Sequence, residues 1–271
     1  MQQQSITERI INHYDKISPY YKKLWSNHIH HGYYTTGKES KQEATENLIK
    51  LLVKKSNLKP NSNVLDVGCG IGGTSIWLAK NLNCKVTGVT ISPIQARMAK
   101  KASAKLRNKP KFFVADANNL PFMGKFDAVF AIETISHYTN RENFFKSIAN
   151  MPNKNGVICI ADWFKESNLD KNKLNDYIKP IENGMLVSLN TVEEYFSYLE
   201  DSNLKLAYHE DISSNVEKTW NIGIGIIKDK SLWKLAVKNG SDFLNFLKSF
   251  NAMKKGFYSG SLRYKVIIAK K

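Results

Sequence analysis

The apolar positions fall into short runs separated by stretches with helical spacing. Val64-Leu65 with Val67, then Cys84–Val89, Lys111–Ala115, Phe126–Ala131 and Gly156–Ala161, each have the length of a buried strand. Helix-spaced segments lie between them, and such alternation predicts a parallel, doubly wound sheet. Upstream, Ile6–Ile17 and Glu39–Lys55 carry apolar residues at helical intervals, with the aromatic Ser18–Trp25 stretch after the first. Downstream, Lys165 to about Asn203 reads as polar helices with apolar anchors such as Tyr177-Ile178 and Met185-Leu186-Val187. Leu204–Asp211 returns as a sixth strand, Val216–Ile227 and Leu232–Lys254 read as helices, and the run ending at Ala269 reads as a final antiparallel strand. The expected organisation is a helical lid over residues 1–60, a ligand-binding core over 61–164, a helical cap insertion over 165–203, and the rest of the core sheet over 204–271.

Composition narrows this picture modestly. With 271 residues, 42% of them hydrophobic, the chain can bury one large α/β core. No apolar run has the length of a bilayer span, and Met1–Ser5 lacks the charged and apolar regions of a signal peptide, so a cytoplasmic protein is expected. Cys69, Cys84 and Cys159 have no paired spacing and read as buried thiols rather than disulfides or zinc ligands. The net charge of +16 would suggest nucleic acid or an anionic surface. The lysines are nevertheless spread along the chain among many asparagines, without a basic block, so no nucleic-acid partner is expected. Oligomeric state has no signature here.

Chemistry concentrates where predicted strands end. Asp66-Val67-Gly68-Cys69-Gly70-Ile71-Gly72-Gly73 breaks the first strand into glycines just before a helix start. Such a turn needs positive φ, lets a ligand approach the backbone, and offers free N–H donors. Gly68, Gly70 and Gly73 fit the dinucleotide pattern G-x-G-x-x-G. Two details oppose that reading. Asp66 would repel a pyrophosphate but could accept hydrogen bonds from an ammonium. The acid expected at the end of the second strand for ribose hydroxyls is absent, with Thr90-Ile91-Ser92 in its place. Ser92 also stands as a helix N-cap before Pro93.

Asp116 follows the third strand on the ligand side of such a sheet, with a turn-capping aspartate as the competing reading. After the fourth strand Glu133 and His137 lie four apart, sharing a face if the segment turns helical. A histidine there could take a proton from a substrate hydroxyl near neutral pH. Asp162 ends the fifth strand and could orient His137 as a neighbouring carboxylate, or serve as a simple cap. His28, His30 and His31 lack further ligands at fixed spacing, so no metal site is expected.

The Asp66–Gly73 phrase resembles motif I of the class I S-adenosylmethionine (SAM) methyltransferases, whose fold is a Rossmann-like, doubly wound seven-stranded α/β sheet. His30-His31-Gly32-Tyr33, Thr90-x-Ser92-Pro93-x-Gln95 and Glu133-x-x-x-His137 resemble segments of the tocopherol C-methyltransferase, sterol methyltransferase and cyclopropane-type group. The resemblance implies SAM as cofactor and S-adenosylhomocysteine (SAH) as product. It places Asp66, Gly68, Gly70, Thr90, Ile91, Ser92, Gln95, Asp116 and Ala117 around SAM, with Asp116 accepting from the adenine amino group. Tyr14, His31, Tyr33 and Tyr34 of the lid, together with Glu133, become candidates for contacting SAM or substrate. His137, with Glu133 or Asp162, becomes the catalytic group facing a small-molecule acceptor of phenolic, amine, isoprenoid-like or other natural-product type. Lipid modification of the cyclopropane kind and RNA methylation are the alternatives. Carbon, oxygen and nitrogen acceptors all remain open.

Overall fold

The computed structural model describes residues 5–24, 26–120 and 124–271; Met1–Gln4, Trp25 of the aromatic lid stretch and Pro121–Met123 lie outside the described residues. In chain order α1 (Ile6–Leu24) and α2 (Lys41–Ser56) precede β1 (Asn63–Val67), α3 (Gly73–Leu82), β2 (Lys85–Thr90) and α4 (Pro93–Ser103). Then come β3 (Lys111–Val114), β4 (Phe126–Ile132), α5 (Arg141–Ile148) and β5 (Pro152–Lys165). A single turn, α6 (Lys171–Lys173), runs through a wider π-type turn (Leu174–Ile178) into α7 (Lys179–Met185) and α8 (Val192–Asp201). The chain closes with β6 (Lys205–Asp211), α9 (Ser213–Val216), α10 (Lys218–Ile226), α11 (Lys230–Asn239), α12 (Ser241–Tyr258) and β7 (Leu262–Lys270).

The seven strands stand in the order β3-β2-β1-β4-β5-β7-β6, the first five parallel and β7 antiparallel between β5 and β6. Parallel strands covered on both sides must be apolar on both faces. Accordingly Val64, Phe130 and Cys159 join the α2 and α12 side, while Leu65, Val129 and Ile158 pack with Phe144, Phe145 and Tyr195 of α5 and α8. Val67 lies level with Val89 of β2 and Ala131 of β4, so three strands end together where the strand order reverses. That crevice is where such sheets bind ligands. Cys69, Cys84 and Cys159 are buried and unpaired. No described helix is long and apolar enough to cross a membrane.

Three local expectations change. The first helix does not stop at Ile17 but continues through Pro19 to Leu24, with the Ser18 hydroxyl donating to the Tyr14 carbonyl at 2.5 Å. The expected Leu232–Lys254 helix is two helices, because Gly240 takes φ +96°, outside the helical region, and α12 then runs on to Tyr258. The fifth strand extends beyond Gly156–Ala161 at both ends, to Lys165 where β7 pairs with it and back to Pro152, which pairs with Phe126 of β4.

Candidate functional site

A cavity of about 1270 Å³, its mouth included, opens beyond the ends of β1, β2 and β4. The walls come from the glycine turn, the ends of β2, β3 and β4, the His28–His30 segment, and Thr7, Ile10, His13 and Tyr14 of α1.

The glycine turn builds one side. Asp66, at 2% exposure, accepts the Ser75 hydroxyl at 2.6 Å, and burial pushes its carboxyl up to about 7. Gly68, Gly70 and Gly72 all have positive φ, but for different surroundings. A Cβ on Gly68 would lie 2.0 Å from Thr134 Oγ1, so the turn rests directly on the loop after β4. A Cβ on Gly70 would meet only Ile29 Cδ1 at 3.7 Å and Gln95 Nε2 at 4.0 Å, so this glycine keeps cavity space clear. At the end of β2 the Thr90 hydroxyl donates to Gln95 Oε1 at 2.7 Å, and Gln95 Nε2 donates to Ser18 of α1 at 3.1 Å. Asp116 folds its carboxylate onto the Asn118 amide N–H at 2.8 Å and lines the cavity with Ala117 and Asn118. Asn118 Oδ1 is buried without a hydrogen-bond partner.

The loop after β4 carries a second set of titratable groups. After β4 the chain turns sharply at Glu133, whose φ is +49°, and enters a 3₁₀ turn, Ile135–His137. Glu133 Oε1 accepts from the His31 amide at 2.5 Å, from His31 Nδ1 at 2.9 Å and from the Tyr264 hydroxyl at 2.9 Å. Burial works to raise this carboxyl, yet the contacts with His31 bring it below its ordinary value. His137 Nδ1 stands 3.0 Å from the Leu186 carbonyl, which can only accept, so Nδ1 carries the proton. Burial drives the imidazole down to about 4, leaving it neutral with a bare Nε2. That lone pair accepts the Tyr14 hydroxyl at 2.8 Å. Tyr14 itself is held protonated by burial and by the charges of Glu133 and Asp162.

Several expected positions are corrected by this geometry. Glu133 and His137 do not share a helix face, since the left-handed turn at Glu133 sends its carboxylate to His31 instead; both nevertheless line the cavity. Asp162 is fully buried and does not touch the His137 ring. Its Oδ2 accepts the Ile135 and Ser136 amides at 3.1 and 3.2 Å, so it fixes the turn that bears the histidine. Ser92 is fully buried and away from the cavity wall; it caps α4 by accepting the Gln95 amide and donates to Asp15 of α1. Tyr33 packs against the core with its amide donating to Ala44, and Tyr34 ties its carbonyl to Asn215, so neither faces the cavity. His31 stands behind the wall, among Trp163, Trp220 and Tyr264.

Thr90, Ile91, Gln95, Asp116 and Ala117 line the cavity with Asp66, Gly68, Gly70 and Tyr14. His13, Asp15, Trp163 and Tyr264 escaped the sequence reading because each meets its partner only in the fold, and Asn118 because no local pattern marks its side chain as lining the cavity. No cluster of three or more His, Cys, Asp or Glu side chains able to hold a metal occurs among the described residues.

The mycolic acid cyclopropane synthetase family profile matches residues 1–246. The tocopherol O-methyltransferase of Arabidopsis thaliana chloroplasts is 27% identical, over 99% of this chain and 83% of that protein. The (+)-O-methylkolavelool synthase of Herpetosiphon aurantiacus is 25% identical, over 96% and 92%. A crystal structure of a mycolic acid cyclopropane synthase complexed with SAH and CTAB superposes with a TM-score of 0.88 over 99% of both chains, at 17% identity. The fold, the strand-end crevice and the match over residues 1–246 agree: the chain belongs to the mycolic acid cyclopropane synthetase family and is a class I SAM-dependent methyltransferase.

Proposed function

We propose that the cavity holds SAM against the glycine turn and the end of β2, and an apolar, hydroxyl-bearing small molecule beneath α1, whose oxygen receives the methyl group. The cavity suits such a pair. Gly70 leaves open space beside a carboxylate fit for an ammonium, and Asp116 with the unpartnered Asn118 Oδ1 offers acceptors for an adenine amino group. When bound, SAM supplies a methyl group already activated on a sulfonium. Asp66, Gly68, Gly70, Thr90, Ile91, Gln95, Asp116 and Ala117 bind and orient it. Ile10, Trp163, Met185 and Phe246 give the remaining wall its apolar character.

The observation that carries the oxygen acceptor is the Tyr14–His137 pair, a neutral base set into that apolar wall. Proton removal by a positioned histidine is what hydroxyl methylation needs, whereas alkene methylation does not begin with an O–H. Two relatives carry oxygen methylation in their names, which agrees with this reading. In the same reading α1 and the helices of residues 165–203 are the lid and cap, through His13, Tyr14 and Met185 on the wall. Three unpaired thiols and dispersed lysines favour a cytosolic enzyme of small molecules over one of nucleic acid.

The test is turnover of SAM by the full chain with phenols, terpenoid alcohols, amines and unsaturated phospholipid vesicles, product being read by mass. Methylated hydroxyls are expected. Products only on lipid alkenes would replace this reading with the cyclopropane type.

A pH dependence follows from Asp66. Burial favours its neutral form, so its contribution to folding is present below the unfolded value near 3.8 and is lost as pH rises through about 7. An ammonium requires the ionised form, so binding has the opposite sign. SAH affinity should therefore strengthen about eightfold between pH 6 and pH 7.5, the change in ionised fraction for a group titrating near 7. Calorimetry of the wild type and Asp66→Asn checks it: the variant should bind weakly with no such slope, and a flat wild-type profile would contradict the assignment.

A further inference from the structure

The Leu186 carbonyl fixes more than the orientation of His137. Leu186 ends α7 in a left-handed conformation, φ +55°, which turns its carbonyl onto Nδ1 at 3.0 Å. Because a carbonyl cannot donate, the ring proton stays on Nδ1 and Nε2 must accept. Its partner is already present: the Tyr14 hydroxyl, 2.8 Å away, from the helix that roofs the cavity. The Nε2 lone pair is therefore engaged, and a hydroxyl acceptor has no free base on His137. What the pair offers the cavity is the Tyr14 oxygen, which keeps acceptor capacity while its own proton is given to Nε2.

We infer that Tyr14 is the group that meets the acceptor hydroxyl and relays its proton to His137. This rests on the oxygen-acceptor reading above. As the methyl carbon bonds to the acceptor oxygen and leaves sulfur, the acceptor's O–H breaks and its proton goes to Tyr14 Oη. The Tyr14 proton passes to His137 Nε2 in the same event. Sulfonium and alcohol become thioether and ether, and the single positive charge moves from sulfur to the imidazolium. The Leu186 carbonyl still accepts from Nδ1 in that state. Burial disfavours the charged ring, so it loses the proton once the product has left, which resets the pair. Tyr14 is then a catalytic residue, and the α7 terminus positions the base behind it.

Tyr14→Phe removes only the relaying oxygen. In protein labelled with ¹⁵N-histidine, the wild-type His137 should show Nδ1 protonated and Nε2 accepting a hydrogen bond. The Nε2 resonance should move to that of a free acceptor in Tyr14→Phe. With a phenol series from 4-methoxyphenol to 4-nitrophenol as probes, Tyr14→Phe should lose about 100-fold in kcat on the least acidic members. It should recover toward wild type on 4-nitrophenol, which ionises without help, while SAH affinity stays within about twofold. A wild-type kcat retained across the series, a proton on Nε2, or equal losses in kcat and SAH affinity would each overturn the relay. Failure of the wild type to methylate any phenol or alcohol would overturn the oxygen-acceptor reading itself.

Discussion

Replacing His137 with alanine is expected to lower kcat by about 10²–10⁴-fold, the range ascribed to a positioned acid–base group. SAH affinity should change little. The imidazole is bonded to Tyr14 and to the Leu186 carbonyl rather than to any residue around Asp66 or Thr90. Losing two neutral hydrogen bonds costs about 1 kcal/mol each, so the fold should survive. The pH profile adds a second signature. With its folded value depressed to about 4 from 6.5, the ring contributes stability that is present above the unfolded value and lost as pH falls through about 4. His137 is thus neutral throughout the working range, and kcat should show no acid limb near 6.5. Equal losses in kcat and SAH affinity would place the histidine in cofactor binding instead.

The largest stability effect is expected at Gly68. An alanine there must hold φ near +70° and place its Cβ 2.0 Å from Thr134 Oγ1, itself hydrogen-bonded to Tyr138 at 2.6 Å in a buried position. Left-handed backbone costs about 1–2 kcal/mol in a residue with a Cβ. Overpacking against a fixed neighbour adds about 1–3 kcal/mol. Gly68→Ala should therefore lose roughly 2–5 kcal/mol in urea unfolding. The displaced Thr134 loop would carry Glu133 and His137 with it. Gly70→Ala has no such neighbour and should lose about 1–2 kcal/mol, from backbone strain alone. A similar loss at both glycines would contradict the different surroundings described for them.

Much of this architecture is legible in the sequence because strand length, glycine turns and helix spacing are local signals. The parallel strands, the glycine turn after β1 and the ligand-side position of Thr90, Asp116 and Glu133 follow from order along the chain alone. Two side chains show what local signals leave open. Asp162 and Ser92 are short polar residues at strand ends, where sequence cannot tell a side chain facing a crevice from one bonding nearby amides; in the fold both satisfy backbone N–H groups. The four-residue spacing puts Glu133 and His137 on one face only if the segment is helical, and a left-handed residue has no sequence mark when it is not glycine or asparagine. The Tyr14–His137 contact spans 123 positions and the Glu133–Tyr264 contact 131, beyond any periodicity. Gly240 did carry a local signal, a lone glycine inside an otherwise helical run, and marks the break between α11 and α12.

The central claim is that the bend from Asp66 to Gly70 receives the amino-acid end of the cofactor, with the rest of the cavity left to an acceptor. Calorimetric titration of SAH into the wild type and into Gly70→Ala at pH 7.5 tests it most directly. Saturable one-to-one binding by the wild type, and a loss of at least tenfold in the alanine variant although it remains folded with only the about 1–2 kcal/mol loss expected from backbone strain, is the predicted result. Undiminished binding by a folded Gly70→Ala, or binding of nicotinamide adenine dinucleotide in place of SAH, would contradict it.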